Sequence, residues 1–511
     1  MVLLLAVGAY CALDTCCGRL EAVVSKQQVL TSSDTNYRVE AQKYWSSTAR
    51  LSPACVFVPE SASDVSAAIK ALVKNNCEFA VRGGGHTTNP GWAGTESGVL
   101  VSLSKLTTVE VSKDKNSVVI GAGNKWGDVY TAIDEYNITL AGGRFSKVGV
   151  SGFLLGGGLS FLMSSKGFSA NTVLSYEIVL ADGELTTVTS ESNSDLFKAL
   201  KGGTGNFGVM TSFTMQAFPI RDVHAGFLFY APDQYEKLYP IMETYAREGV
   251  EDDPRTHMIQ VFASNPSLNI DMAGFYTFYS EPFDTPPAAI KPFFDLPTTH
   301  RTAQNKTAKE ANHEVTEGFE DGLRYDMHTY SVRADAGLLK QLVDIWRFAT
   351  AELNSTVPGW RSRLLYQVIS KNMIRTSDEK GGNVLGLQAR GDPLVVVVYI
   401  STWIRPEDDD KVYVAIDKLL STSTNLAESQ NRLDDYIYLN YAGSDQKPIE
   451  SYGLAQVKFL QRVKAKYDPE GVFEKLCRGG FKIPSQCSDV DDGYLNMQAG
   501  GSNEQTCSHF L

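Results

Sequence analysis

Phe79-Ala-Val-Arg-Gly-Gly-Gly-His86 decides how the rest of the chain is read. Phe79-Ala-Val81 predicts a short strand, and it runs straight into three glycines that end on a histidine. Glycine has no Cβ, so a glycine run after a strand lets backbone N–H groups converge on a ligand at distances that side chains would block. Gly156-Gly-Gly158 and Gly202-Gly203-Thr204-Gly205 repeat the feature. No GxxxxGK[ST] loop is present, and no strand–GxGxxG–helix opening. The usual nucleotide-binding folds are thereby excluded, but a bound diphosphate is not. Taken alone, the clusters are equally compatible with tight turns in a β-rich protein.

The surroundings of this stretch predict an α+β unit. Cys55-Val-Phe-Val-Pro and Val99-Leu-Val-Ser-Leu read as short strands, and Ser61-Ala-Ser-Asp64 caps an amphipathic helix running to about Lys74. Residues 109–121 alternate as two strands around Lys113-Asp-Lys-Asn116, and residues 125–136 have helical spacing. Glycine is too dense between Gly142 and Gly158 for an ordinary helix; residues 173–189 form a hairpin turning at Asp182-Gly183, residues 195–200 a short helix, and residues 207–213 a strand. Beyond Ile220 the texture changes. Strands are expected at 225–230, 256–262, 269–278 and 394–402, and helices at 232–247, 333–352 and 409–420, as in an antiparallel sheet covered on one side. Residues 301–318 read as an exposed connection, Glu407-Asp-Asp-Asp410 as a solvated helix N-terminus, and residues 452–467 as a helix stopped by Asp468-Pro469-Glu470-Gly471.

The chain has 511 residues and a net charge of −12, from 47 basic and 59 acidic side chains. At about 150 residues per domain that length allows two to four domains. The acidity speaks against a nucleic-acid partner, which prefers a basic stripe. Met-Val-Leu-Leu-Leu-Ala-Val-Gly-Ala-Tyr-Cys-Ala at the start is too short to span a bilayer and suits the apolar region of a secretory leader, although its basic flank is missing. No later run reaches about 18 apolar residues, so no membrane partner is expected. The cysteines, eight in all, stand in two terminal groups, Cys11, Cys16, Cys17, Cys55, Cys77 and Cys477, Cys487, Cys507, which reads as local stapling in an exported protein. Asn137, Asn305 and Asn354 head Asn-x-Ser/Thr sequons and fit the same secreted, glycosylated setting. His224, His257, His300, His313, His328 and His509 show neither HExxH nor paired spacing, so no metal is expected, and no GxSxG elbow is present.

The motifs in order carry a resemblance. Phe79 to His86 with Asn89-Pro-Gly-Trp-Ala-Gly94, then Gly149-Val-Ser-Gly152 and Gly156-Gly-Gly-Leu-Ser160, then Ala199-Leu-Lys-Gly-Gly203 and Asn206-Phe-Gly208 resemble the vanillyl-alcohol-oxidase, or PCMH-type, FAD-binding fold. The branch is the berberine-bridge-enzyme-like one, with its secreted fungal oxidases. The likeness covers about residues 50–215, returns at 438–441 and 452–473, and is poor between. It implies a two-domain α+β chain: a leader at 1–18, an FAD-binding domain at 19–215, a substrate-binding α+β domain at 216–450 with an antiparallel sheet and helices, and a returning segment at 451–511.

The resemblance also implies roles. His86 matches the histidine bonded to the flavin 8α-methyl; the position of a second, cysteinyl link holds Phe145, so one covalent tether to FAD is expected. Gly83, Gly84, Gly85, Gly149, Gly152, Gly157 and Gly158, with Arg82 and Thr87 beside the first cluster, would face the pyrophosphate and isoalloxazine. Gly202, Gly203 and Asn206 match positions lining the cofactor site. Val148 stands where a small residue goes with oxidases and leucine with dehydrogenases, which favours molecular oxygen as acceptor. Relatives pair Cys16 or Cys17 with Cys77, leaving Cys55 and the other vicinal cysteine as a second pair.

For the chemistry, a base must take a proton as hydride leaves the substrate. Free tyrosine, with a pKa near ~10, needs positive charge or hydrogen bonds beside it to serve. Asn440-Tyr441 looks like the pair that supplies the base in alcohol- and carbohydrate-oxidising relatives, which makes Tyr441 the candidate; the plain alternative is a core tyrosine. The acidic partner of some relatives is missing: the 394–402 strand offers Tyr399, Thr402 and Trp403, with Asp392 before it. The expected activity is an FAD-dependent oxidase taking hydride from an alcohol, sugar or amine carbon and reducing O2 to H2O2. The alternatives are a secondary-metabolite tailoring enzyme performing oxidative cyclisation or desaturation, and a non-catalytic secreted flavin-fold binding protein.

Overall fold

Parallel pairing around the glycine-bearing strand builds the first sheet. Phe79–Arg82 pairs in parallel with Val99–Ser102, which pairs in parallel with Cys55–Phe57, and Val29–Leu30 closes the edge antiparallel. This is a computed structural model that describes residues 16–485 except 266, 268, 269 and 389–391. Every residue of Val99–Ser102 is buried, as a strand covered on both faces requires. The helix Ala62–Lys74 starts on a capping box, with Ser61 Oγ accepting from the Asp64 N–H and the Asp64 carboxylate from the Ser61 N–H. It buries Val65, Ile69 and Leu72, the face its sequence spacing predicts.

A second, antiparallel sheet runs Val109–Val111, Ser117–Gly121, Val209–Phe218, Val173–Val179, Leu185–Thr189, with Thr139–Leu140 also on Val209–Phe218. The third holds nine strands among the described residues, in the order Thr298–Arg301, Asp222–Tyr230, Ile270–Tyr279, Thr256–Asn265, Arg361–Ile369, Leu394–Trp403, Arg324–Arg333, Leu433–Asp434, with Gln304–Thr307 on Asp222–Tyr230. Period-2 alternation splits its faces. Leu364, Tyr366 and Val368 join the apolar core that includes Leu338, Leu342 and Trp346 of the helix Ala336–Thr356. Leu365 and Gln367, between them, face a cavity. The architecture is the expected two-domain α+β one, with the large sheet covered by helices on one side.

The structure departs from the sequence reading in several elements. Residues 301–318 are not a plain connection: they contain Gln304–Thr307 and the helix Ala308–Thr316, capped by Thr307 and Glu310 and packed on Trp126–Ile133. The glycine-rich stretch does hold one short helix, Val150–Leu155. Arg324–Arg333 and Arg361–Ile369 are additional strands; their polar residues Asp326, His328 and Gln367 are buried, so hydrophobic alternation does not announce them. In the acidic run, Asp408 pairs with Arg405 and Asp409 with Arg324 and the Trp403 indole, so that helix start is tied rather than merely solvated.

Disulfides join Cys16 to Cys77 and Cys17 to Cys55. The bonds tie residues 16 and 17 to the strand Cys55–Phe57 and to the residue two positions before the strand Phe79–Arg82. Residues 1–15, Cys487, Cys507, His509 and the rest of the chain after 485 lie outside the described residues, and Cys477 is free and buried. The three sequon asparagines are exposed. No helix among the described residues is long and apolar enough to cross a membrane.

Candidate functional site

A cavity of about 450 Å³ lies where the three sheets meet. The first sheet contributes Val81 and the Gly83 to Asn89 segment; the second side contributes residues of the stretch from Gly143 to Phe153, and Gly205, Gly208, Val209 and Met210. The large sheet contributes Ile259, Met327, Leu365, Gln367 and Ile400, and the late chain Tyr438 to Ala442 and Gly479 to Lys482.

Glycine is required here for two different reasons. Gly84 and Gly149 cross backbone to backbone, with a Cβ on Gly84 falling 2.3 Å from the Gly149 Cα. Gly152, Gly205 and Gly480 line the cavity, and a Cβ on any of them meets no protein atom within 4 Å. Gly480 has φ of +82°, which favours glycine by itself; at Gly152 and Gly205 no protein neighbour demands glycine, and its absence of a side chain leaves the backbone open to a ligand.

His86 lies in the cavity wall, its ring stacked on Trp45 at 4.2 Å, and Trp45 stacks in turn on Tyr325 at 3.8 Å. Its Nδ1 is buried with no hydrogen-bond partner. Burial, then the charges of Lys125 and Lys147, depress its pKa to about 3, so the imidazole is neutral at working pH and keeps a free lone pair. Phe145 sits 5.4 Å from His86, ring to ring, and Val148 also lines the cavity.

The polar end is built around Arg144. Trp126 packs so tightly on Gly142 and Gly143 that a Cβ on either would fall 2.3 to 2.4 Å from the indole. Arg144 follows these two glycines directly. Its Nη2 donates to Tyr441 Oη at 2.7 Å and Gln367 Oε1 at 2.6 Å, and its Nη1 donates to His257 Nε2 at 2.8 Å. A guanidinium only donates, so His257 accepts through Nε2 and is neutral; burial, with the Arg144 charge second, holds its pKa well below the imidazole range. Asn440 anchors the other side of the pair: its amide donates to Phe153 O and Tyr438 Oη at 3.0 Å each, and its side chain fills the space that a Cβ on Gly156 would take. Both line the cavity, and Tyr441 is the member whose hydroxyl meets Arg144.

Not every candidate reaches the wall. Gly83, Gly84, Gly85, Thr87, Val148, Gly149, Gly152 and Tyr441 line the cavity together with His86. Arg82 does not. Its guanidinium turns into the first domain, where it donates to Glu40 and Ser102 at 2.8 Å each. Gly157 and Gly158 have φ of +101° and +79° and pack on Leu385 and on Phe153 and Ser169. Gly202, with φ of +122°, abuts Leu385, and Gly203 abuts the Ala199 carbonyl. These four serve chain turns and close packing behind the wall. Asn206 also stands behind it, donating to Phe481 O at 3.0 Å and Thr204 Oγ1 at 2.8 Å, which do line the cavity. On the large sheet, Tyr399 bonds Tyr330 and Ser423 on the helix side, and Asp392, Thr402 and Trp403 are off the wall; the polar group presented is neutral Gln367. Sequence reading missed Arg144, Gln367 and His257. The first had a signal, as one of two charges, with Lys147, inside a glycine-rich stretch.

His328, Asp417 and Asp445 bring donor atoms within 4.8 Å of one another. Both His328 nitrogens are taken, Nδ1 by Asp326 at 2.7 Å and Nε2 by Asp445 at 2.8 Å, so the ring has no lone pair for a metal.

The backbone-lined glycine wall, the orphaned His86 Nδ1 and the aromatic stack fit a dinucleotide with a planar ring system. Comparison with known proteins agrees. The family described as FAD binding domain matches residues 53–189. An FAD-dependent monooxygenase of Aspergillus calidoustus is 30% identical over 92% of this chain and 91% of its own length. One of Emericella nidulans is 33% identical over 92% and 98%. The structure of 6-hydroxy-D-nicotine oxidase from Arthrobacter nicotinovorans shares the fold with a TM-score of 0.73 at 20% identity, covering 89% of this chain and 97% of that one. Xylooligosaccharide oxidase from Myceliophthora thermophila gives 0.75 at 19%, covering 93% and 100%.

Proposed function

We propose, for a chain that belongs to the vanillyl-alcohol-oxidase (PCMH-type, berberine-bridge-enzyme-like) superfamily and is an FAD-linked oxidoreductase acting on a small molecule, that it is a fungal-type tailoring enzyme oxidising an apolar metabolite by ring closure or desaturation. The carrying observation is the part of the lining that residues 216–403 supply: Ile259, Val315, Phe319, Met327, Leu365 and Ile400 are apolar, and the one polar side chain among them is Gln367, which meets Arg144 and Tyr441. A sugar presents a hydroxyl on nearly every carbon, and burying each without a partner costs roughly 1–3 kcal/mol. The names of the curated relatives, FAD-dependent monooxygenases, support the same reading.

When bound, FAD supplies a two-electron acceptor. His86 would hold it through one covalent link, since the neutral imidazole is the nucleophilic form and Phe145 offers no second attachment. Gly83, Gly84, Gly85, Gly149 and Gly152 would let the backbone approach it. Tyr441 would accept the substrate proton, with the Arg144 guanidinium at 2.7 Å where negative charge develops on the phenolic oxygen. Gln367 orients the same group. Val148 supports molecular oxygen as the electron acceptor, and the two disulfides with the exposed sequons support a secreted, glycosylated protein.

The test is to purify the protein, record its visible spectrum, and follow bleaching of the flavin band and peroxide yield with apolar aromatic alcohols and phenols beside xylo-oligosaccharides. Bleaching by the aromatic set is expected. Bleaching by oligosaccharides alone would overturn the reading, and a colourless protein would support a binding module instead.

A further inference from the structure

We propose that Arg144 is an anion-recognition residue, and that the small molecule taken by this cavity carries an ionised oxygen, a phenolate, enolate or carboxylate, that pairs with its guanidinium. The inference deepens the proposed function and rests on its reading of which end of the cavity takes the substrate.

Arg144 is 7% exposed, yet no carboxylate lies within 4.0 Å of it among the described residues. Its partners, Tyr441, Gln367 and His257, accept its hydrogen bonds and none of them is a carboxylate. A guanidinium stays charged in proteins and carries five N–H donors. Nη2 spends both of its protons on Tyr441 and Gln367, and Nη1 spends one on His257. Nε and the second Nη1 proton have no partner among the described residues. Arg82, just as deep, shows the ordinary solution: Glu40 neutralises it at 2.8 Å.

A buried cation without a counter-ion is destabilising unless something completes it. Arg144 lines the cavity, and Ile259, Leu365 and Ile400 line it too and are apolar. That combination selects an apolar body with one acidic oxygen. It also places the oxygen next to Tyr441, because one guanidinium would hold both. A neutral polyol would leave the charge unpaired and the apolar wall wet.

Binding to the flavin-bearing full-length protein is measured by calorimetry and by perturbation of the flavin spectrum. The probes are two matched pairs, 2-naphthoate against 2-naphthamide, and 4-nitrophenol above its pKa against 4-nitroanisole. At least one anion should bind about tenfold or more tightly than its neutral partner. Which pair shows the preference tells carboxylate from phenolate. Arg144→Gln should abolish the preference while leaving the neutral probes within about threefold, and Arg144→Lys should retain part of it. Equal affinity within both pairs in the unmodified protein would overturn the inference, as would a preference that survives in R144Q. The first of these needs no variant to fold. Flavin bleached by neutral aromatic substrates with no anion preference would overturn this inference and leave the proposed function standing; bleaching by neutral oligosaccharides alone would overturn both.

Discussion

Gly84 and Gly149 lie against each other with no room for a side chain on either: a Cβ on Gly149 would sit 2.5 Å from the Gly84 nitrogen. Relief would have to come from two main chains moving apart. Gly149→Ala should therefore lower the stability by about 1–3 kcal/mol and reduce the amount of flavin incorporated. Gly152→Ala separates the two effects. Its Cβ meets no protein atom and it lies in the helix Val150–Leu155, so the melting temperature should hold or rise while flavin per mole of protein falls. Thermal melts with and without added FAD, together with the ratio of visible to ultraviolet absorbance, distinguish the outcomes.

His86 is the proposed single tether. Acid-precipitated protein should stay yellow, and the flavin mass should appear on the peptide containing His86. In His86→Ala the flavin should pass to the supernatant. Flavin found on the peptide around Phe145, or on Cys477, would contradict the single link.

Tyr441→Phe removes one oxygen from a side chain that Arg144 and Gln367 hold in place. Flavin content should be unchanged, and the rate of anaerobic flavin bleaching by a competent substrate should fall about 10²–10⁴-fold. A variant that bleaches at the parental rate would return Tyr441 to the status of a packing residue.

His328 fastens the loop that follows Tyr441. A Cβ on Gly443 would strike its ring at 2.3 Å, and Gln446 bonds the Thr329 backbone at 2.7 Å and 3.1 Å. Burial works against the cation, but hydrogen bonds and charges from Asp326 and Asp445 raise its pKa from 6.5 to about 10. A raised folded pKa stabilises fully below the unfolded value and is lost as pH climbs through the folded one. The melting-temperature gap between the parent and His328→Gln should thus be widest just below pH 6.5, narrow above it and vanish near pH 10. Below the carboxylate range the pair fails for the opposite reason, protonation of Asp445, whose pKa the His328 hydrogen bond holds down. A gap that does not vary with pH would show that His328 acts through packing alone.

The two disulfides close spans of 61 and 38 residues, so losing either one frees a long loop in the unfolded chain. Cys17→Ser with Cys55→Ser should cost about 2–4 kcal/mol. Denaturant titration reads that loss directly, and an unchanged midpoint would refute it.

Local chemistry was legible in advance wherever a motif constrains its own neighbours. The Ser61–Asp64 capping box, the strand entering Gly83, the turn at Asp182-Gly183 and the stop at Asp468-Pro469 are all decided within a few residues, and each stands where the sequence places it. His86, Val148, Gly149 and Tyr441 were legible as cavity residues because ordered motifs identify them. Arg82, Gly157, Gly158, Gly202, Gly203 and Asn206 share those motifs but face inward. A motif marks a segment, and only packing decides which way each residue of it turns.

By itself, then, the sequence determined the α+β plan, the glycine-bearing backbone and the histidine at its end, because those depend on local backbone freedom and short-range hydrogen bonds. Tertiary structure alone decided the polar end of the cavity. Arg144, His257, Gln367 and Tyr441 come from four separate segments, up to 297 positions apart, and no spacing rule links them. They meet because the large sheet turns alternate side chains to opposite faces and the indole of Trp126 packs against two glycines just before the arginine.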